Sequence, residues 1–195
     1  MTHDLVLVLD DLADLVGHLS PDTFERPTPC PDYDVAGLRE HVLGWLPVFG
    51  TALSDPSGGE RPDPTAYHAP DDAATAAAQV RGVAVQVEKA LAGGVEEGTV
   101  RLLGGEQPGR MVVGMLTAEV VAHGWDLARA TGRPWQPPAA LCDQARSAMT
   151  GMLLPEYRGP DKPFGTEVTV AGDASPLDRL LAFSGRDPAW TPTPR

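Results

Sequence analysis

Apolar residues recur every three or four positions in five stretches of the chain, a spacing that places them on one face of an α-helix. Asp34 stands before the second stretch as a favoured N-cap, and Gly132 with Pro134 follows the fourth stretch as a stop signal. Pro47 lies within the second stretch, where it is expected to kink or shorten the helix. The five predicted helices cover residues 4–19, 35–53, 71–92, 109–131 and 138–154.

Three shorter patterns lie between and after these helices. Residues 99–103 are flanked by Gly-Gly pairs and are typical of an extended segment or hairpin arm, and residues 167–170 form a short β-like run. Ser175 and Pro176 have the N-cap and N1 identities that open one more short helix. Because no strand alternation continues far enough to build a sheet, we predict an all-α, up-down four-helix bundle with an extra helix and a short C-terminal strap, in one domain spanning residues 1–195.

Within the fourth predicted helix, Glu119 and His123 stand four residues apart in an otherwise apolar stretch. That spacing stacks both side chains on one helix face, and this face is directed at the core. A buried carboxylate without a partner is costly, so something must neutralise Glu119. A divalent metal would do so, and His41, which borders the apolar stripe of the second helix, supplies a third candidate ligand. Three protein ligands leave one position open for water or substrate, as in catalytic zinc sites.

Spacing alone also allows an interpretation without a metal. Glu119 could pair with Arg129 or another arginine, and His123 could be a hydrogen-bonded core residue. His41 could lie at the edge of the bundle. Both interpretations satisfy the requirement that a buried acid is paired or coordinated, so the helical pattern leaves them open.

Four further residues near the candidate ligands also have two interpretations each. Asp126, one turn beyond His123, is either a carboxylate that orients the imidazole or a surface or capping acid. Trp45 and Trp125 either line a pocket or pack in the core, and Cys30 is either a reactive or a buried thiol.

The chain is acidic, with 27 Asp and Glu against 15 Lys and Arg and a formal net charge of −12. Nucleic acids and anionic membranes favour basic patches, so neither is an expected partner. The N-terminus lacks the basic region of a signal peptide, and no apolar run approaches the ~20 residues that span a bilayer. Cys30 and Cys142 are too few for a disulfide framework and fit a reducing compartment. We therefore expect a cytoplasmic protein.

Three motifs in order resemble one known family. Residues 28–35 (TPCPDYDV), followed by His41, resemble the opening of the DinB-like metalloenzymes, and the most similar group is related to the N-terminal domain of mycothiol-dependent maleylpyruvate isomerase. Residues 119–132 (EVVAHGWDLARATG) are similar to the second signature of that group, including the glutamate that stands where many DinB-like proteins have histidine. Residues 163–190 are similar to a small metal-binding subfamily that lacks the C-terminal domain of the isomerase.

The resemblance implies a DinB-like four-helix bundle that binds one divalent metal, zinc first and nickel as the alternative, through positions matching His41, Glu119 and His123. In the isomerase, the metal activates the thiol of mycothiol, which adds to the double bond of the substrate. The resemblance therefore implies a transferase or isomerase that uses a mycothiol-type thiol and an electrophilic substrate of unknown identity, with a homodimer left open. The alternative is a non-catalytic metal- or ligand-binding stress protein.

Overall fold

The computed structural model describes residues 2–159, 162 and 164–192, so Pro163 of the third motif lies outside the described residues. Within these residues the chain is mostly helical and contains one two-stranded sheet. None of the described helices is both long and apolar enough to cross a membrane. The helices are α1 (Thr2–Gly17), α2 (Val35–Ser54), α3 (Ala73–Ala92), α4 (Gly109–Thr131), α5 (Ala139–Met152) and α6 (Pro176–Phe183), and the strands are β1 (Thr99–Leu102) and β2 (Gly105–Pro108).

Four helices surround a common hydrophobic core. Helix α1 packs against α3 and α4, and α2 packs against the same two helices, so α1 and α2 lie diagonally across the bundle. Helix α5 covers α4, and α6 packs on α5. Leucines from three of the bundle helices, among them Leu12, Leu38 and Leu116, are fully buried in this core. The predicted all-α DinB-like bundle with additional C-terminal helical structure is confirmed.

The helix ends lie within two residues of the predicted ones because the sequence encodes their caps. Asp34 accepts a hydrogen bond from the Gly37 amide at 2.8 Å, and Ser175 accepts one from the Asp178 amide at 3.1 Å. Each bond satisfies a backbone donor that the first turn of a helix leaves free. Gly132 adopts φ 72° at the end of α4, in the left-handed region that favours glycine.

Helix α2 continues through Pro47 to Ser54, so the expected shortening of the helix is wrong. A proline in a helix leaves the carbonyl four residues earlier without its backbone donor. Here that carbonyl belongs to Leu43, and the Gln79 side chain of α3 donates to it at 2.8 Å. The Tyr67 hydroxyl donates in turn to Gln79 at 2.6 Å. A neighbouring helix therefore supplies the hydrogen bond that Pro47 removes.

The expected extended segment near residue 100 is the first arm of a hairpin in which β1 pairs antiparallel with β2. Leu103 and Gly104 form its two-residue turn with φ 52° and 80°, the positive values that suit such turns. The β-like run at residues 167–170 forms no strand, and that prediction is wrong. The Val168 amide instead donates to the Ala182 carbonyl of α6 at 3.0 Å. The backbone of this segment is therefore bonded to a helix and not to another strand.

Candidate metal centre

The packing of α2 against α4 brings the three predicted ligands together. His41 comes from α2, whereas Glu119 and His123 lie one turn apart on α4. One ligating atom from each residue lies within 4.8 Å of the other two. The side chains are partly accessible, with exposed fractions of 23% for His41, 21% for Glu119 and 12% for His123. A small molecule can therefore reach the cluster from solvent.

One carboxylate oxygen lies at the centre of this cluster. Glu119 Oε1 is 3.0 Å from His41 Nε2 and 3.6 Å from His123 Nε2. At these distances Oε1 makes ion-pair contacts with both rings, but neither contact has the geometry of a well-formed hydrogen bond, and Oε1 is buried. Buried polar atoms without a partner are rare in native proteins and need a physical explanation.

Both imidazoles are held by a second contact on the opposite side of the ring. The Nδ1 atom of His123 is 3.0 Å from Asp126 Oδ2, and the Nδ1 atom of His41 is 3.2 Å from the Tyr33 hydroxyl. These contacts direct the Nε2 atom of each ring towards Glu119. Asp126 is fully buried, so the surface-acid interpretation of this residue is wrong and the orienting interpretation agrees with its contact to His123.

Arg186, which follows α6 in the strap, was not predicted from the sequence as part of the site. Its guanidinium group is buried and contacts both carboxylate oxygens of Asp126, with Nη2 2.7 Å from Oδ2 and Nε 2.9 Å from each oxygen. Nη1 donates to the Ser184 hydroxyl at 3.0 Å, and Nη2 lies 3.2 Å from His123 Nδ1. A signal was present in the sequence, because an inward Asp126 needs a counter-charge and Arg186 lies within the third motif.

Opposite charges keep both buried carboxylates ionised. Burial by itself would raise the pKa of Glu119, but His123 and His41 outweigh it and hold that pKa below its ordinary value. Burial also acts to raise the pKa of Asp126, and Arg186 together with His123 lowers it. At neutral pH the site therefore contains two anionic groups, of which Asp126 is neutralised by Arg186.

The proposed pairing of Glu119 with Arg129 is wrong. Arg129 Nε donates to the Trp190 carbonyl at 2.9 Å, and its guanidinium carbon lies 5.9 Å from the ring centroid of Trp125. Trp125 is 7% exposed and therefore packs in the core rather than lining a pocket. Its neighbour Gly124 leaves room for Trp135, whose ring would collide with a Cβ atom at that position.

Cys30 lies beside the candidate centre. Its sulfur belongs to a second group of ligating atoms, shared with His123 and Asp126, that also fall within 4.8 Å of one another. The thiol is free and partly exposed, and burial raises its pKa despite the nearby charge of Arg186. Cys30 is therefore a neutral thiol at neutral pH, which is less nucleophilic than a thiolate.

An open cleft with a volume of about 560 Å³ borders the centre on the His41 side. Trp45 lines this cleft, in agreement with the pocket interpretation of that residue. His41 connects the cleft to the candidate centre, because it belongs to the cleft wall as well as to the cluster, and Tyr33 lines the cleft beside it. The cleft therefore gives a ligand of this size access to His41, one of the three candidate ligands.

Comparison with known proteins identifies the family. Two uncharacterized proteins of Mycobacterium tuberculosis, from strains ATCC 25618 / H37Rv and CDC 1551 / Oshkosh, are each 34% identical over 178 residues, which is 91% of this chain and 92% of theirs. No solved structure matches the chain. The family described as the mycothiol maleylpyruvate isomerase N-terminal domain matches residues 5–128, a span that includes His41, Glu119 and His123. The chain therefore belongs to the mycothiol maleylpyruvate isomerase N-terminal domain family.

Proposed function

We propose that this protein binds one divalent metal ion, zinc or nickel, through His41, Glu119 and His123, and uses it in the chemistry of a low-molecular-weight, mycothiol-type thiol. The observation that carries this proposal is the buried Glu119 Oε1 atom, which lies between two imidazole Nε2 atoms without a well-formed hydrogen bond. The reaction is transfer or isomerisation, with an electrophilic small molecule as the second substrate. The free state of Cys30 and Cys142 supports a reducing, cytoplasmic setting.

The distances from Glu119 Oε1 to the two imidazole nitrogens fit a small divalent ion. Two ligands that each lie 2.0–2.1 Å from a tetrahedral zinc are separated by about 3.3 Å. The two separations from Glu119 Oε1 are 3.0 and 3.6 Å, on either side of that value. Two imidazoles and one carboxylate also form a donor set that suits zinc and nickel and leaves a further position for a thiol.

The contact between Asp126 and the Nδ1 atom of His123 supports the same metal assignment. A proton on His123 Nδ1 that is donated to Asp126 leaves the Nε2 lone pair facing the carboxylate of Glu119. Without a proton between them these two electron-rich atoms repel each other, and a divalent ion can take the place of that proton and be coordinated by both atoms. Arg186 does not supply this cation, because it is engaged with Asp126 and Ser184.

Each side chain of the site has a defined task in this proposal. A bound divalent ion lowers the pKa of a thiol and so supplies a thiolate near neutral pH. Asp126 fixes the ring orientation and tautomer of His123, and the Tyr33 hydroxyl does the same for His41. Partial exposure of the three candidate ligands lets the thiol and its electrophile approach the centre.

A non-catalytic role for the metal is the second candidate, and one observation favours it. The proposed ligands belong to two different helices of the bundle, so a bound ion ties α2 to α4. A structural ion of this kind contributes its binding free energy to folding. This candidate predicts that chelation lowers the melting temperature and that no thiol binds at the metal.

Cobalt substitution separates the two candidates. Cobalt(II) takes the place of zinc at nitrogen and oxygen sites, and a coordinated thiolate adds a sulfur-to-cobalt charge-transfer band in the near ultraviolet. We expect this band on addition of mycothiol or a simpler cysteine-derived thiol, and we expect it to disappear in His123→Ala. A cobalt-loaded protein whose spectrum does not change at millimolar thiol contradicts the thiol chemistry and favours the structural role.

A further inference from the structure

The cleft beside His41 has the dimensions of a small-molecule site. Its volume of about 560 Å³ lies within the range of about 300–1,000 Å³ that is usual for ligand pockets. Trp45 of α2 contributes to one wall, and Tyr67 and His68, from the connection between α2 and α3, contribute to the other. The cleft extends from the proposed metal centre, because the His41 side chain belongs to both.

Aromatic rings make up much of the cleft surface. The ring of His41 lies between those of Tyr33 and Trp45, with centroid separations of 5.0 and 6.4 Å. Tyr67 lies directly against Gly44, where an added Cβ atom would be 3.3 Å from the tyrosine Cβ. The faces of tyrosine and tryptophan rings carry negative electrostatic potential, which attracts cations.

The cleft also contains a negatively charged side chain, which adds to the negative potential of the aromatic faces. The carboxylate of Glu40 lines it and contacts His68 Nδ1 at 3.2 Å and the Ala69 amide at 3.3 Å, which leaves further lone pairs for a ligand. Among the described residues, no lysine or arginine lines the cleft. Arg39 adjoins Glu40 in the chain but does not line the cleft, and its guanidinium group donates to the Pro70 carbonyl and lies 5.5 Å from the Phe24 ring centroid.

We propose that this cleft binds a cationic ammonium group carried on a small apolar body, and that it disfavours carboxylates. The net charge of −12 adds a long-range field that attracts cations and repels anions. Arg186, the cation nearest to the centre among the groups described above, is buried and already paired with Asp126. In the absence of a bound metal ion, maleylpyruvate, which the family description names, therefore finds no lysine or arginine partner in this cleft.

The position of the cleft suits a substrate of the proposed metal centre. A molecule bound along Trp45 and Tyr67 lies next to His41 and therefore next to the proposed metal centre. The inference that this molecule is a substrate of the metal centre rests on the proposed function. The preference of the cleft for cations does not, because Glu40, the aromatic rings and the net negative charge attract a cation without any bound metal.

Three probes of similar shape and different charge test the preference. The protein is titrated by calorimetry with choline, with the uncharged tert-butyl analogue of choline and with ionised tert-butylacetic acid, both after chelation and after zinc loading. In the chelated protein we expect choline to bind about tenfold more tightly than the uncharged analogue, and the anion to bind more weakly than either. Glu40→Gln and Trp45→Leu should each remove most of this preference, whereas Glu88→Gln, which removes the same charge from the exposed surface of α3, should preserve it.

The outcomes separate this inference from the proposed function. Selective choline binding in a protein that takes up no metal supports the cleft inference and refutes the metal centre. Metal and thiol binding without any preference for choline over the anion overturns the cleft inference alone. Equal choline affinity in Glu40→Gln and Glu88→Gln also overturns it, and this comparison does not require Trp45→Leu to fold.

Discussion

At the scale of single residues, the candidate centre depends on how each imidazole is held. His41 and His123 present Nε2 to the same carboxylate oxygen because Tyr33 and Asp126 occupy their Nδ1 sides. A ring that loses such a contact is free to rotate, and fewer of its conformations coordinate a metal. The contacts that Tyr33 and Asp126 make with the two imidazole rings should therefore affect metal affinity measurably.

Replacing Tyr33 by Phe isolates one of these contacts. The variant keeps the ring and removes the hydroxyl that lies 3.2 Å from His41 Nδ1. We expect metal affinity to fall by about tenfold or more, measured by competition with a chromophoric chelator. Tyr67→Phe is the matched control, because the Tyr67 hydroxyl donates to Gln79 and not to a candidate ligand. Equal affinities in the two variants would show that the Tyr33 hydroxyl does not position His41.

Cys142 gives a prediction about pH that is independent of the metal. This thiol is 1% exposed, and burial raises its pKa from 9.0 to about 11. Because the folded state disfavours the thiolate, the associated stability is fully present below pH 9 and is lost as the pH rises towards 11. Urea unfolding at pH 8 and 11 should show the wild type losing about 2–3 kcal/mol more than Cys142→Ala. Parallel losses in the two proteins would contradict this assignment.

At the scale of elements, the sequence predicts the helices well because their ends are locally encoded. The side chains of Asp34 and Ser175 cap the turns that immediately follow them, so neighbouring positions contain the information. The path of α2 through Pro47 was not predictable in the same way. Its missing hydrogen bond is replaced by Gln79, 36 positions from Leu43, and only the packing of α3 on α2 brings the two together.

A double-mutant cycle tests the compensation between Pro47 and Gln79. Gln79→Leu leaves the buried Leu43 carbonyl without a donor, so we expect a loss of about 1–3 kcal/mol in the free energy of unfolding. In a Pro47→Ala background, the backbone amide of the new residue can bond to Leu43, and the same substitution should cost less. Costs that are equal in both backgrounds would show that Gln79 does not replace the bond lost at Pro47.

At the scale of the whole molecule, the strap that follows α5 is fastened to the bundle beside the candidate centre. Arg186 and Asp126 are 60 positions apart in the chain and form a buried, hydrogen-bonded ion pair. Helical spacing predicts Glu119 with His123, because both lie on one helix, and it offers His41 as a third candidate that the family resemblance supports. Helical spacing does not predict the partner of Asp126, because that pairing depends on how α6 and the strap pack against the bundle.

Removing one partner of this pair should destabilise the protein strongly. Arg186→Leu leaves the carboxylate of Asp126 buried without a counter-charge, and we expect a loss of about 3–5 kcal/mol in urea unfolding of the metal-free protein. Arg179→Leu is the control, because Arg179 pairs with Asp143 at a partly exposed position where an ion pair contributes about 1 kcal/mol or less. Similar losses in the two variants would contradict a structural role for the buried pair.

The central claim is that His41, Glu119 and His123 hold one divalent metal ion, and elemental analysis of the purified protein tests it most directly. After expression with added zinc or nickel and removal of free metal, we expect close to one ion per chain in the wild type. His41→Ala, Glu119→Gln and His123→Ala should each lose most of it, whereas His68→Ala, which alters an exposed histidine of the cleft, should keep it. Full metal content in His123→Ala, or a wild type that carries no metal, would contradict the account.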